Sequence, residues 1–227
     1  MKDVLQHYVK AHPWHGLPSH APNRKDAFYA YIELTPTDGV KYEVDKASGH
    51  LKVDRPQKFS NLCPTLYGFI PRTYCGDAVG AYCSKRAQRE GIAGDGDPID
   101  ICVLTEKPIE KSDILVVCHP IGGLRLIDKG QADDKIVAVL EGDLTYGAWK
   151  SVREVPEPLV DRLQHYFLTY KQAPGETPPP TEITHVYDRD EAVEVISASI
   201  EDYRAKFGHY DEELQRLLNV SRNDRVV

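Results

Sequence analysis

Three aspartates stand within six residues, in the stretch "GDGDPID", directly before an apolar run. Asp95 and Asp97 are separated by one glycine, Pro98 keeps the segment from being helical, and Asp100 stands where the apolar run begins. Carboxylates repel one another, and acidic side chains disfavour strand interiors. The stretch is therefore either a solvated turn or a place where a strongly positive group is bound.

Two further segments carry acids together with bases. Asp128 and Asp133 lie in a predicted loop between strands, with Lys135 directly after them, and the first predicted hairpin region contributes Glu33, Lys41, Glu43 and Arg55. Mg²⁺ binds one or two carboxylates and keeps waters and substrate phosphates as its other ligands. A metal-bound phosphate substrate requires both kinds of side chain: acids to bind the cations, and Lys and Arg to bind the anion.

The segments that must position these residues are short strands, followed late in the chain by helices. Aromatic and β-branched alternation predicts strands at 27–34, 40–45, 50–55, 100–104, 114–119, 123–127 and 135–140. The second and third of these form a predicted hairpin around the turn at 46–49, which places Lys41 and Glu43 on one face. Apolar spacing predicts helices at 157–171 and 189–206, joined by the stiff connector 173–180.

This order predicts an α+β fold that is mainly β: a closed or nearly closed barrel of short strands with helices packed outside. The 227 residues are expected to form one domain. The net charge of −7, from 35 acidic and 28 basic residues, argues against nucleic-acid binding. No apolar run is long enough for a membrane span and no signal-peptide core begins the chain, so we expect a cytoplasmic protein. Five cysteines, an odd and sparse set, fit reduced thiols.

The pattern of motifs resembles the family I soluble inorganic pyrophosphatases. "DGDPID" is similar to the family's D-x-D-P-x-D signature, and 32–55 is similar to its first acidic strand and hairpin. "YGFIP" (67–71) resembles the family's segment with a phosphate-binding tyrosine. "LIDKGQADDK" (126–135) resembles its loop of aspartates and a lysine, and "YK" at 170–171 resembles a helical Tyr-Lys pair. The resemblance covers roughly residues 27–206. It implies a five-stranded barrel of the OB type with two or three flanking helices, and Mg²⁺-dependent hydrolysis of pyrophosphate to two phosphates.

The resemblance also implies a role for each matching residue. Several Mg²⁺ ions would be held by Asp95, Asp100, Asp128 and Asp133, with Glu33 and Glu43 helping partly through water. Asp97 would be the general base for the attacking water. The two phosphoryl groups would be bound by Lys41, Arg55, Tyr67, Lys135, Tyr170 and Lys171.

This sequence differs from the compact bacterial members in three places. An insertion at about 73–91, with Lys85, Arg86 and Arg89 at a basic tip, is expected to be a loop, and a C-terminal extension at 208–227 is expected to contain a short amphipathic helix with Leu214, Leu217 and Leu218. Leu66 stands before Tyr67 where the family usually has an asparagine. Family members imply a homo-oligomer of unassigned size. Two alternatives stay open: a related phosphohydrolase acting on nucleotides, and a non-catalytic oligonucleotide-binding barrel.

Overall fold

The computed structural model describes residues 9–173, 175–177 and 180–223, and of 218–223 it describes the backbone alone. Within these residues the strands are β1 (Phe28–Leu34), β2 (Val40–Val44), β3 (Leu51–Pro56), β4 (Leu66–Phe69), β5 (Ala93–Gly94), β6 (Asp100–Leu104), β7 (Ile114–Asp128), β8 (Gln131–Ala132), β9 (Lys135–Leu140) and β10 (Thr181–Asp188). The helices are α1 (Asp77–Ala87), α2 (Glu157–Thr169) and α3 (Arg189–Asn223), and Val152–Glu154 forms a 3₁₀ turn.

Five strands close into a ring. The pairing runs from β1 to β4, β6, β9 and β7, and β7 pairs again with β1. The β6–β9 pair is parallel and the other pairs of the ring are antiparallel. Strand β10 pairs with β7 outside the ring, while β2 and β3 form a separate hairpin. The predicted five-stranded barrel with flanking helices is thereby confirmed.

Strand β6 is apolar on both faces, and each face belongs to a different part of the core. On β6, Ile101 and Val103 are buried in a cluster that includes Val195 of α3. The alternate residues of the same strand, among them Cys102, are buried with Phe167 of α2 in a second cluster. Because successive side chains of a strand point to opposite faces, such a strand reads as a continuous apolar run that ends where its polar residues begin. That is why "IDICVL" places Asp100 at an edge of the core.

Strand β7 is one strand of 15 residues, so the prediction of separate strands at 114–119 and 123–127 is wrong. The prediction broke the strand at 120–122, which contains Pro120 and Gly122. In the structure the pairing with β9 shifts register between Pro120 and Gly122, and the strand continues. The glycines make room for β10, since a Cβ on Gly123 would lie 2.4 Å from the ring of Tyr187. Close approach of a neighbouring strand is the reason for these glycines.

Several other segments differ from the sequence-based expectation. The 73–91 segment contains helix α1 and is not an irregular loop. Helix α3 continues past the predicted end at 206 to Asn223, so the described part of the 208–227 extension prolongs α3; Leu218 and 224–227 lie outside what is described there. Strands β4, β5, β8 and β10 were not predicted, and the connector prediction at 173–180 falls partly on undescribed residues. Among the described helices, none has the length and apolarity needed to cross a membrane.

Candidate active site

A cavity of about 380 Å³ lies against the hairpin and one rim of the barrel. It collects side chains from β1, β2, β3, β4, β6, β7, the 94–100 loop, the start of β9 and the end of α2. All thirteen residues singled out in the sequence line it: Glu33, Lys41, Glu43, Arg55, Tyr67, Asp95, Asp97, Asp100, Asp128, Asp133, Lys135, Tyr170 and Lys171. Residues more than a hundred positions apart in sequence are thus brought to one place.

The 94–100 loop is held in place by the segment that precedes α1. The backbone N–H of Cys75 donates to the carbonyl of Asp97 at 2.8 Å, and that of Gly96 donates to the carbonyl of Cys75 at 3.0 Å. Gly96 adopts a φ of +81°, a conformation that favours glycine. The backbone N–H of Asp97 also donates to the Asp95 carboxylate at 3.0 Å. The two carboxylates therefore leave a tight, braced turn and both reach the cavity.

Lys135 is the centre of the cavity floor. It is the first residue of β9 and 2% exposed, and its ammonium donates to the carboxylates of both Asp100 and Asp133. The hydroxyl of Tyr67 donates to the same Asp100 carboxylate at 2.5 Å. Asp100 pairs with Lys135 in the parallel β6–β9 ladder, which fixes their neighbouring positions at the rim. A single buried cation therefore stands among several acids.

The acids of this floor are crowded enough to oppose their own ionisation. Burial, and then repulsion from Asp133 and Asp100, raise the pKa of Asp95 to about 8. Burial is also the largest cause that raises the pKa of Glu33 to about 8, with Asp100 contributing. The pKa of Asp133 is raised by burial, against the opposing effect of Lys135. More negative charge is gathered here than Lys135 neutralises.

A second group of contacts closes the cavity on the side of α2. Lys171 donates to the Asp128 carboxylate at 2.8 Å, and the Thr181 hydroxyl donates to it at 2.6 Å. Although partial burial opposes it, these bonds hold the pKa of Asp128 below its usual range. The Arg55 guanidinium lies 5.8 Å from the ring centre of Tyr170. Arg55 of β3 and the two residues after α2, Tyr170 and Lys171, thus present three hydrogen-bonding side chains to the cavity.

The hairpin of β2 and β3 supplies a further wall of the cavity. As the strand alternation predicts, Lys41 and Glu43 lie on one face of β2, and the Lys41 ammonium pairs with the Glu43 carboxylate. Lys41 also lies 3.4 Å from the Asp54 carboxylate. Glu33 on β1 accepts a hydrogen bond from the backbone N–H of Val44 at 2.6 Å, which ties the hairpin to the barrel. The hairpin is therefore fixed relative to the cavity floor.

The carboxylate oxygens of the cavity fit Mg²⁺, and several of the aspartates are paired with lysines. Among the described residues, no three His, Cys, Asp or Glu side chains are close enough together to hold one metal. Lys135 pairs with Asp100 and Asp133. Lys171 pairs with Asp128, and Lys46 pairs with Asp97. The pKa of Asp95, raised by its acidic neighbours, marks a site where added positive charge is favourable. Mg²⁺ prefers oxygen ligands, and the cavity offers several carboxylates.

Besides Val44, Phe69 and Pro98, three residues with polar side-chain groups line the cavity and were missed by sequence reasoning: Trp14, Lys46 and Gln131. Lys46 comes from the hairpin turn and its ammonium pairs with the Asp97 carboxylate. Trp14, from the N-terminal segment, donates its indole N–H to the carbonyl of Thr73 at 2.8 Å. A turn lysine and an isolated tryptophan carry no motif, so only the folded chain brings them to the site. Leu66 is buried in the core and does not line the cavity.

A small closed barrel with acids and bases side by side in one cavity is typical of proteins that bind a phosphate compound together with metal ions. The family described as "Inorganic pyrophosphatase" matches residues 30–204. An inorganic pyrophosphatase of Chlamydia muridarum is 53% identical over 196 residues, which cover 85% of this chain and 93% of the relative. A soluble inorganic pyrophosphatase of rice, Oryza sativa subsp. indica, is 31% identical over 205 residues, or 90% of this chain and 85% of the relative. The chain therefore belongs to the inorganic pyrophosphatase family.

Solved structures agree with this assignment. The crystal structure of inorganic pyrophosphatase from Thermus thermophilus has a TM-score of 0.70 and 28% identity, and the match covers 86% of this chain and 99% of that one. Type I inorganic pyrophosphatase from Toxoplasma gondii has a TM-score of 0.70 at 21% identity, with 87% and 89% of the two chains covered, and supports the fold alone. The resemblance read from the motifs is confirmed.

Proposed function

We propose that this chain hydrolyses inorganic pyrophosphate to two phosphates with Mg²⁺ bound in the cavity of about 380 Å³. The observation that carries the proposal is the convergence of thirteen acids, bases and tyrosines on that cavity in a chain of this family. Pyrophosphate carries several negative charges and repels a nucleophile of the same sign. A site for its hydrolysis needs bound cations, donors for the phosphate oxygens and a base, and each of these is available here.

The aspartates Asp95, Asp100, Asp128 and Asp133 would hold the metal ions, with Glu33 and Glu43 nearby. When bound, Mg²⁺ supplies charge neutralisation to the phosphate oxygens and lowers the pKa of a coordinated water. The raised pKa of Asp95, which burial and its acidic neighbours cause, supports this assignment because an added cation relieves the repulsion.

Asp97 is the general base of the proposed reaction. Its side chain is half exposed and faces the cavity from the braced turn, so it can reach a water beside the substrate. It accepts a proton from that water as the water oxygen bonds to one phosphorus atom. The bond from that phosphorus to the bridging oxygen breaks, and its electron pair leaves with the second phosphate. Lys46, which pairs with Asp97, stabilises the carboxylate before the proton is transferred.

The basic and phenolic side chains bind the two phosphoryl groups. Lys41, Arg55, Tyr67, Lys135, Tyr170 and Lys171 line the cavity on different sides, so together they can donate to both ends of a pyrophosphate ion. Arg55 offers a planar fork that matches two phosphate oxygens. Donors held on strands and at a helix end need little rearrangement, so they favour the leaving phosphate as its charge develops.

The experiment that tests the substrate compares phosphate release from pyrophosphate and from ATP at equal Mg²⁺. Faster release from pyrophosphate by at least two orders of magnitude supports the proposal, whereas equal or faster release from ATP favours a nucleotide phosphohydrolase. A fluorescence titration with a single-stranded oligonucleotide, expected to give no saturable binding, tests the non-catalytic alternative. Mg²⁺ as the metal, cytoplasmic location, homo-oligomeric assembly, and the insertion and extension relative to compact members remain predictions.

A further inference from the structure

Behind the cavity floor lies an ion pair that the proposed reaction does not use. Arg125 of β7 and Asp134 are 1% and 2% exposed, and their charged groups lie 3.2 Å apart. The Tyr187 hydroxyl donates to the same Asp134 oxygen at 3.0 Å, and Arg125 also donates to Glu191 of α3 at 2.8 Å. Arginine and aspartate are seldom buried this completely, so the pair requires an explanation.

Stability is a poor explanation for this pair. Among the described residues, the Arg125 Nε and the Asp134 Oδ1 have no hydrogen-bond partner although both atoms are buried. A buried ion pair repays its desolvation only when its remaining donors and acceptors are satisfied, and apolar residues of similar size are often as stable or more so. The chain keeps a costly arrangement at this point, next to the site.

The position of Asp134 connects the pair with the site. Asp133 and Lys135 line the cavity, and Asp134 between them points away from it toward Arg125. The backbone around the pair is fixed from the same side, because the N–H of Asp133 donates to the carbonyl of Leu126 at 2.9 Å and Lys135 pairs with Leu124. Arg125 lies between those two partners. The ion pair therefore sets the rotation of the short segment that presents Asp133 and Lys135.

Helix α1 covers this pair from outside. The ring centre of Tyr82 lies 5.3 Å from the Arg125 guanidinium, and the ring centre of Tyr187 lies 5.1 Å from it. Arg86, one turn further along α1, reaches Glu194 at 3.1 Å and so binds α1 to α3. Exclusion of water strengthens the attraction between the buried charges. The 73–91 segment, whose purpose the sequence left open, thus encloses a charged pair beneath the cavity.

We propose that Arg125 and Asp134 are positioning residues that orient Asp133 and Lys135 for the reaction, and that helix α1 serves this pair by covering it. The inference rests on the proposed roles of Asp133 and Lys135. Misplacing a reacting group by about 1 Å can reduce a rate by about 100-fold. A loss of orientation would lower kcat and weaken metal binding more than it would change the KM for pyrophosphate.

The test is the double variant Arg125→Met/Asp134→Leu, which replaces the pair by apolar side chains of similar size. We expect a folded protein whose urea midpoint is lowered only modestly, because the Tyr187 hydroxyl and the Glu191 carboxylate lose these partners. We also expect a kcat lower by about 10- to 100-fold, a nearly unchanged KM, and weaker Mg²⁺ binding by calorimetry. Arg125→Lys keeps the pair and should retain most of the kcat. The control Arg24→Gln/Glu141→Gln removes an ion pair just past the far end of β9 and should leave kcat unchanged.

A folded double variant with unchanged kcat and unchanged Mg²⁺ affinity would overturn the inference. If the double variant does not fold, Tyr82→Leu decides, since it removes the covering ring without removing a charge: a lower kcat supports the inference, and an unchanged kcat refutes it. Absence of phosphate release by the unmodified protein would contradict the proposed function alone. Mg²⁺ binding by the double variant would then still decide the positioning role.

Discussion

Replacing Asp95 by asparagine should have opposite effects on stability and on activity. Asp95 is crowded by Asp133 and Asp100, and burial with this repulsion raises its pKa to about 8. Asparagine has nearly the same shape and no charge to repel. We expect Asp95→Asn to be more stable than the unmodified protein when no metal is present, and to hydrolyse pyrophosphate at least about 100-fold more slowly, because a proposed metal ligand is lost.

The size of the stability effect follows from the two pKa values. In the unfolded chain the pKa of an aspartate is near 3.8, and in the folded metal-free chain that of Asp95 is about 8. The folded state therefore binds more protons, so stability is fully present below pH 3.8 and falls as pH rises toward 8. At pH 7 the upper limit of this cost is about 4 kcal/mol, and solvent at the cavity mouth reduces it to about 1–3 kcal/mol. Asparagine removes the cost.

The assay is urea unfolding in EDTA at several pH values between 4 and 8, followed by the same series with Mg²⁺. The unmodified protein should lose stability with rising pH in EDTA and regain it with Mg²⁺, because metal binds the folded state. Asp95→Asn should be flatter with pH and gain less from Mg²⁺. Asp97→Asn is the matched control, since Asp97 is half exposed and its substitution should change activity with little change in stability.

An Asp95→Asn variant that is less stable than the unmodified protein in EDTA at pH 7 would refute this reasoning. It would mean that the carboxylate makes net favourable contacts in the metal-free state. The crowding of acids could then no longer be taken as a sign of an ion-binding site, and the metal assignment would lose its electrostatic support.

Three further predictions concern other parts of the chain. Lys135→Met leaves two partly buried carboxylates without their ammonium partner and should lower the free energy of unfolding in EDTA by about 3–5 kcal/mol, measured with urea, and kcat should fall steeply. Burial lowers the pKa of half-buried His15 to about 4, so folding stability should fall by about 1–2 kcal/mol as pH drops from 6.5 toward 4; this loss should be absent in His15→Phe, and its persistence there would assign it to another group. A Cβ on Gly94 would lie 2.2 Å from the carbonyl oxygen of Cys75, so Gly94→Ala should cost about 1–3 kcal/mol and reduce kcat, with thermal melting and phosphate release as the measurements.

The site was more predictable from sequence than the fold around it. Acids and bases were found from residue types and spacing, and the family resemblance gave each a role; the structure brings all thirteen to one cavity, and their roles stay predictions. Lys46 and Trp14 were missed because their partners, Asp97 and the carbonyl of Thr73, are far away in sequence. Contacts of this kind arise from tertiary structure, and no local sequence pattern predicts them.

Strand β7 and helix α1 were misread for different reasons. The predicted break at 120–122 is absent from β7, and Gly122 and Gly123 are small because β10 pairs directly beside them. Helix α1 was expected to be a loop because its segment was recognised as an insertion, yet Val79 and Cys83, one turn apart, are buried against the core. That spacing was present in the sequence and could have indicated the helix.

Phosphate release from pyrophosphate by the purified protein tests the central claim most directly. We predict rapid release with Mg²⁺, loss of release with EDTA, and loss of release with Mg²⁺ when Asp97→Ala replaces the proposed base while the variant remains folded. Release that persists undiminished in Asp97→Ala would contradict the assignment of the base. No release by the folded, Mg²⁺-loaded protein would contradict the proposed function itself.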